Sequence, residues 1–222
     1  METKCGESTT QSCIFPLYIY PSTTAEIKMG IIRKPNISLD FITKLERYFG
    51  YTPMPEAIFY YIYAIFHSPT YRSRYAEFLK GDFPRVPLTR NIDLFRQLGE
   101  LGEQLVNLRL MKSPILNKTS SPFINNGGGC IIDAGHPKYE SGKVIINKQK
   151  DGFMDVSEAV WNFHVGGYQV CHKWLKDRKG RTLSQDDIEH YQKIVVALGQ
   201  SIELMAKIDA AIPNWPLDAE YN

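Results

Sequence analysis

Two stretches repeat apolar residues at helical intervals for so long that they leave little choice of fold class. From about Asn91, the residues Leu94, Leu98, Leu101, Leu105 and Leu108 follow at 4-3-4-3 spacing, which lines one helix face and makes a seam for another helix. Later, Ser184 and Asp187 have the spacing of a capping box. Ile188, Tyr191, Val195, Leu198, Ile202 and Met205 then recur at 3-4-3-4-3 spacing, predicting a helix to about Ala211, before Pro213. Between the two lie turn residues and short β-branched runs. Helices, then a small mixed β region, then a long helix, with no βαβ alternation, is the order of an α+β chain. Long amphipathic helices packed with a small mixed β region, in a single compact domain, are therefore expected.

The remaining punctuation is local. CIFPLYIY (13–20) reads as a buried strand bounded by Pro21 and Ser22. Ser38 is placed as an N-cap, Asp40 lies in the first turn, Phe41, Leu45, Tyr48 and Phe49 form a helical face, and Gly50 ends it. Pro55 opens PEAIFYYIYAIFH, apolar nearly all round and so expected to be central and buried. Ser68 and Pro69 break it, and TYRSRYAEFLK forms a second helical piece closing at Gly81. Two prolines confine DFPRVPL (82–88) to an extended edge or ribbon. Residues 113–129 read as loop, and CIID and KVIIN as short strands divided by a turn at Ser141 and Gly142. Residues 1–13 are expected to be a mobile segment, 14–212 the domain, and 213–222 a tail.

The stretch WNFHVGGYQVCHKWLKDRKGR (161–181) carries the most chemistry. Trp161, Phe163 and Val165 alternate as one face of a strand would, Gly166 and Gly167 permit a tight turn, and a helix follows with Val170, Trp174 and Leu175 inward and Gly180 as terminator. Lys173, Lys176, Arg178, Lys179 and Arg181 place five cations in nine residues against one anion, Asp177. Two readings stay open: an anion-binding helix suited to a phosphate backbone, or a solvated amphipathic helix after an ordinary turn.

Several function classes find no support. A net charge of +2 and a pI near 8.2 do not by themselves indicate nucleic acid, so that case rests on local clustering. No apolar run approaches the roughly 18–20 residues that span a bilayer, and METKCGESTTQSC lacks the apolar core of a signal peptide. Cys5, Cys13, Cys130 and Cys171 form no framework, so reduced thiols in a cytoplasmic protein are expected, and no pair has zinc spacing. Asn214-Trp215-Pro216 lacks the second proline and the aromatic of an adenine methyltransferase loop, and the glycines at 127–129 neither follow a strong strand nor open a helix. His67, His136, His164, His172 and His190 are dispersed. No catalytic residue, metal or cofactor is expected in this chain.

Three strings then converge: IFYYIYAIFHSPTYRSRYAEFLKGDFPRVPL (58–88), VWNFHVGGYQVCHKWLKDRKGRTL (160–183) and DIEHYQKIVVALGQSIELMAKID (187–209). Together they resemble the C-terminal specificity domain of Type ISP restriction–modification enzymes, the single-polypeptide Type I-like kind, over about residues 14–212. CIFPLYIY resembles the segment by which that domain leaves an upstream methyltransferase. The resemblance implies recognition of a short double-stranded DNA target, with the methyltransferase, in the same polypeptide or a separate subunit, as partner. S-adenosylmethionine, ATP and magnesium are implied only for upstream domains absent here. It leaves open whether the chain is a fragment or the product of a truncated gene.

On this reading phosphate contacts come from Lys173, Lys176, Arg178, Lys179 and Arg181, and from Arg72, Arg74, Lys80 and Arg85 around the first string. Gly166, Gly167, Tyr168 and Gln169 face the DNA, and Gln169 or Asn162 to adenine and Arg178 to guanine are candidate base contacts. Tyr168 is alternatively a core tyrosine, and Arg85 alternatively a partner of Asp82. Because readers must differ between enzymes with different targets, the loops 112–130 and 133–150 are better places for them, with Lys138, Tyr139, Lys143, Asn147, Lys148 and Lys150 as candidates. Two competing readings are a scaffold that docks on a methyltransferase or other partner through the leucine-seam helices, and a minimal methyltransferase in its own right.

Overall fold

The long periodic runs fold as helices, as their spacing requires; most departures in element type fall on short apolar runs, where period alone cannot tell strand from turn. The computed structural model describes residues 2–4, 11–21, 30, 32–118 and 121–217. It is an α+β chain forming two compact units. The first comprises Met1–Phe66, Tyr75–Gly102 and Ala211–Asn222, and the second His67–Arg74 and Glu103–Ala210.

In the first unit β1 (Glu2–Lys4) pairs antiparallel with β2 (Gln11–Cys13), and β3 (Tyr18–Ile19) with β4 (Lys34–Pro35). Of the segment expected to be mobile, these strands are described; residues 1 and 5–10 lie outside the described part. CIFPLYIY is not a buried strand. Cys13 closes β2 and beyond it only Tyr18 and Ile19 pair, while Ile14, Ile19 and Tyr20 are exposed and Phe15 keeps 71% of its surface. Pro16 has no N–H to give a ladder, and its carbonyl instead accepts from Asn36 Nδ2 at 2.9 Å. Ser22, read as the boundary of that strand, lies outside the described residues. Tyr18 ties β3 to the next helix but one by donating to Glu56 Oε1 at 2.5 Å.

α1 (Leu39–Phe49) starts where Ser38 Oγ accepts from the Phe41 N–H at 3.2 Å and ends at Gly50. α2 (Pro55–His67) buries Ile58, Tyr61, Ala64 and Ile65 and leaves Phe59 exposed, so it has one buried face rather than burial all round. The second helical piece is two helices, α3 (Pro69–Arg74) and α4 (Ala76–Gly81), and residues 82–88 run without a strand partner. The Tyr61 hydroxyl donates to the Pro87 carbonyl at 2.7 Å and so holds that run.

α5 (Ile92–Arg109) begins where Asn91 Oδ1 accepts from the Asp93 and Leu94 N–H groups at 2.9 and 3.1 Å. Its Phe95 stacks on Tyr61 with ring centroids 4.8 Å apart. A Cβ at Gly102 would lie 2.0 Å from the Tyr60 carbonyl oxygen, so α5 and α2 touch backbone to backbone there. The leucine seam is consumed within the chain: Leu94, Leu98, Leu105 and Leu108 are all buried.

The second unit is built on an antiparallel sheet of β5 (Phe123–Ile124), β6 (Lys138–Glu140), β7 (Lys143–Ile145) and β8 (Gly152–Phe153), in the order β5-β8-β7-β6. The Ser141–Gly142 turn is where the spacing placed it, but the strand before it is Lys138–Glu140 and not CIID. CIID makes a single bridge, Ile131 to Thr182, because its backbone pairs across to residues 180–183 instead. The stretch read as loop over 113–129 holds a 3-10 turn (Pro114–Asn117) and β5; residues 119–120 lie outside the described part.

Trp161 lies in α6 (Glu158–Trp161), not in a strand, because Ser157 Oγ accepts from the Val160 N–H at 3.3 Å and opens a helical turn. Strand structure is limited to β9 (His164–Val165) and β10 (Tyr168–Gln169). α7 (Val170–Lys176) buries Cys171 and Leu175, with Val170 and Trp174 partly buried beside them. Ser184 and Asp187 form the capping box, each backbone N–H donating to the other's side chain at 3.1 Å, and α8 (Gln185–Ala211) follows. Its buried face runs through Ile188, Tyr191, Val195 and Leu198 and then shifts to Ser201, Leu204 and Ile208, leaving Ile202 and Met205 half-buried.

Near the end of α8, Asp209 caps a helix distant in sequence. It accepts from Ser68 Oγ, from the Thr70 N–H at 3.0 Å and from Thr70 Oγ1 at 2.8 Å, at the start of α3. Of the expected tail, Leu217 is buried and Trp215 packs edge-on to Tyr75, both in the first unit; residues 218–222 lie outside the described part.

The α5–α2 contact yields a paired prediction. Gly102→Ala should lower stability by on the order of 3 kcal/mol through overpacking against backbone. Gly99→Ala, whose Cβ would meet nothing closer than the Ala57 carbonyl at 3.8 Å, should be neutral or stabilising by up to about 1 kcal/mol from helix propensity. Urea unfolding of both variants checks this.

Candidate nucleic-acid interface

The candidate surface lies in the second unit and starts from the β9–β10 hairpin. Gly166, at φ +59°, makes the turn possible, and a Cβ at Gly166 or Gly167 would meet nothing within 4 Å. Tyr168 is 49% exposed and so is not a core residue. Across the hairpin it faces Val165, also exposed. Gln169 is held inward: its Nε2 donates to the Trp161 carbonyl at 2.6 Å. Asn162 is exposed at the end of α6, its carbonyl 2.6 Å from His164 Nδ1.

The cations of α7 and of the turn after it, which begins at Asp177 rather than at the expected terminator Gly180, do three different things. Lys173 sits 5.5 Å from the Tyr168 ring centre and donates to both oxygens of Asp177, at 2.6 and 2.5 Å. Lys176, Lys179 and Arg181 are exposed. Arg178 is turned in: its guanidinium lies 3.6 Å from the Trp174 ring centre, its Nη1 donates to the Trp174 carbonyl at 3.0 Å, and its Nε is 3.6 Å from Asp187 Oδ1. α7 has seven residues, and its first N–H, that of Val170, is taken by the Phe163 carbonyl. The free N–H groups expected of that helix start are not its distinguishing feature. Burial and the neighbouring Lys176 hold His172 below the ordinary imidazole range. Cys171 is a packing residue, its thiol pushed up to about 11 by burial.

Arg72 and Arg74 are exposed on α3 of the same unit. Lys80 and Arg85 belong to the first unit, each beside an acid: Lys80 is 2.7 Å from Glu77, and Arg85, 93% exposed, is 3.8 Å from Asp82. Among the loop candidates, Lys138, Lys143, Lys148 and Lys150 are exposed. Tyr139 instead stacks on Trp161 at 5.4 Å and donates to the Val156 carbonyl, and Asn147 is 1% exposed. These two build the fold rather than present an edge. Arg109, passed over in the sequence, holds its guanidinium 5.6 Å from the Phe163 ring centre beside the hairpin.

The residue that sequence reasoning missed is Asp151. It is fully buried, and the run NNGGG (125–129) folds around its carboxylate. Oδ1 accepts from the N–H groups of Asn126 at 2.6 Å and Gly128 at 3.2 Å; Oδ2 accepts from the Cys130 N–H at 3.1 Å and Asn147 Nδ2 at 2.9 Å. The glycine run fails as a nucleotide loop for this reason: its donors already hold an anion. A Cβ at Gly128 would lie 2.4 Å from Asn147 Nδ2 and 2.6 Å from Asp151 Oδ2. Burial pushes the Asp151 carboxyl up, but hydrogen bonds from Asn147 and from the Asn126, Cys130 and Gly128 amides outweigh it and hold its pKa below the usual range. Three glycines ahead of a lone Asp–Gly pair were the available signal.

Fold and site together have the form of a recognition module, with helices as scaffold and polar chemistry on loops and a hairpin. The family model of the Type ISP C-terminal specificity domain matches residues 1–207, and the chain belongs to that family. Three similar solved structures are a DrdV–DNA complex (17% identity, 87% of this chain, TM-score 0.65), a nuclease-deletion mutant of the Type ISP restriction–modification enzyme LlaGI with a DNA substrate mimic (21%, 79%, 0.54), and the ATP-dependent Type ISP enzyme LlaBIII bound to DNA (17%, 90%, 0.59). The chain spans only 21%, 14% and 13% of those chains respectively. No curated protein sequence matches significantly. Among the described residues no helix is long and apolar enough to cross a membrane.

Asp151→Asn sets an NH2 donor against groups that are themselves donors and should lower stability at pH 7 by on the order of 3 kcal/mol. Because the folded pKa lies below the unfolded value of about 3.9, the carboxylate's contribution is full above that pH and is lost as pH falls through the folded pKa. The stability gap between wild type and variant, measured by urea unfolding, should therefore narrow below about pH 4.

Proposed function

We propose that this chain is a DNA target-recognition module of a restriction–modification enzyme, non-catalytic in itself, that holds duplex DNA for catalytic parts of a longer polypeptide or a separate subunit. The observation that carries the reading is the open Gly166–Gly167 hairpin with exposed Tyr168 beside Lys173, joined through α7 to exposed Lys176, Lys179 and Arg181. Family membership and DNA-bound structures of the same fold support it. Backbone contacts fall to the exposed cations, with Arg72 and Arg74 as further candidates. Arg178 acts as a strut, since its fork is already engaged by Trp174 and Asp187.

A methyltransferase partner is part of the same proposal. The leucine seams are buried within the chain, so they offer little surface for docking. The exposed Ile14, Phe15, Tyr20, Met54, Phe78 and Phe83 of the first unit suit an apolar protein contact better. No cofactor is assigned to this chain; S-adenosylmethionine, ATP and magnesium serve the parts outside it. A module of this kind works in the cytoplasm, on DNA.

Fluorescence anisotropy with duplex DNA across a salt series tests the assignment. Lys176→Ala and Arg181→Ala should each weaken binding alike for all sequences and lower the log–log salt slope by about one. An unchanged slope in both variants removes this face from the interface. Arg178→Ala should instead lower folding stability, by on the order of 1–2 kcal/mol, through the lost stack on Trp174.

A further inference from the structure

The hairpin and helix end account for holding a duplex but not for reading it, and a second surface of the same unit has what reading requires. Residues 125–127 and 148–150 are exposed without exception, yet directly beneath them Asn147 and Asp151 are almost wholly buried. The two loops are laced to each other. Asn126 Nδ2 donates to the Lys150 carbonyl at 2.8 Å and the Asn126 N–H to Asp151 Oδ1 at 2.6 Å, while beneath them the Asp151 N–H donates to Asn147 Oδ1 at 2.9 Å and Asn147 Nδ2 to the Ile131 carbonyl at 3.2 Å. Lys150 is held at φ +65° by this lacing, its N–H bonded to the Asn147 carbonyl at 3.1 Å.

We propose that this laced pair of loops is the sequence-reading element, with Lys148, Gln149 and Lys150 as outward readers and Asp151 as the positioning residue beneath them. The proposal rests on the DNA-binding reading above and adds which part confers specificity. Three arguments carry it. The chemistry is right: an amide can pair with the adenine edge and an ammonium with guanine O6 and N7. The backbone is fixed before binding, so the ordering cost is confined to the reader side chains. Finally, the hub consists of one carboxylate, one amide and main-chain groups, so outward side chains can change from enzyme to enzyme without disturbing the scaffold.

The run that follows the glycine loop, residues 130–132, is paired with the segment of the candidate phosphate contacts. The Leu183 N–H donates to the Cys130 carbonyl at 2.9 Å, the Ile132 N–H to the Arg181 carbonyl at 3.3 Å, and the Gly180 N–H to the Ile132 carbonyl at 2.8 Å. The strand-like run after the glycine loop is thereby fastened to the segment that carries Lys179 and Arg181.

The test is binding-site selection from a random duplex pool with the full chain, comparing wild type, a Lys148→Ser/Gln149→Ala/Lys150→Asn variant, and Lys176→Ala. Asn is used at position 150 because it tolerates positive φ, and an unchanged thermal melt certifies the fold. Wild type and Lys176→Ala should enrich the same sequence, the latter with weaker binding. The loop variant should lose or change the enriched sequence while its affinity for the unselected pool falls by no more than about tenfold. Enrichment of the wild-type sequence by the loop variant overturns the proposal, as does wild-type binding with no enrichment. Absence of wild-type binding at low salt overturns instead the DNA reading on which it rests.

Discussion

The second unit depends on one buried carboxylate. An ionised group out of water is tolerated only where its lone pairs are filled, and Asp151 fills them with three main-chain amides from a glycine run and one side-chain amide. The bond network fixes the loop at 125–130, which places Cys130 and Ile132 to pair with residues 180–183. That pairing sets where the cationic segment after α7 runs. A charge normally regarded as a liability in a core thus determines the course of two surface loops.

The first unit shows the complementary device, the removal of side chains. Glycines cost a helix roughly 1 kcal/mol each, and α5 carries two of them, Gly99 and Gly102, in mid-helix. At Gly102 the cost is offset by contact between the α5 and α2 backbones, which lets Phe95 reach Tyr61 and Phe49. The leucine seam that invited a reading as a partner surface is therefore an internal joint.

Helices were legible in the sequence because their evidence is redundant: Ser38 and the Ser184–Asp187 pair cap where their spacing placed them, and α5 starts next to Asn91, where its leucine period begins. Short β segments were not. CIFPLYIY and CIID are apolar enough to be strands, but Pro16 lacks a donor and CIID finds its partner fifty residues on, which no local pattern encodes. The turn at Gly166 was readable from its glycines, but the second strand that follows it, Tyr168–Gln169, and the exposure of Tyr168 were not. Which cations point outward was not readable, since Arg178 differs from Lys176 and Arg181 only through Trp174 and Asp187. Asp151 was invisible for a related reason: a lone aspartate in a lysine-rich turn looks solvated until its partners are brought from residues 126–130.

The way the chain is shared between the two units bears on how it can be made. It passes from one to the other after Phe66, Arg74, Gly102 and Ala210, and Ile212 and Leu217, buried in the first unit, follow the whole of the second in sequence. The first unit is therefore complete only once residues 211–217 have been added after the whole of the second. The α3 start in turn waits for Asp209 to cap it. No single cut of the chain separates the two units, since each is assembled from segments that alternate along the sequence.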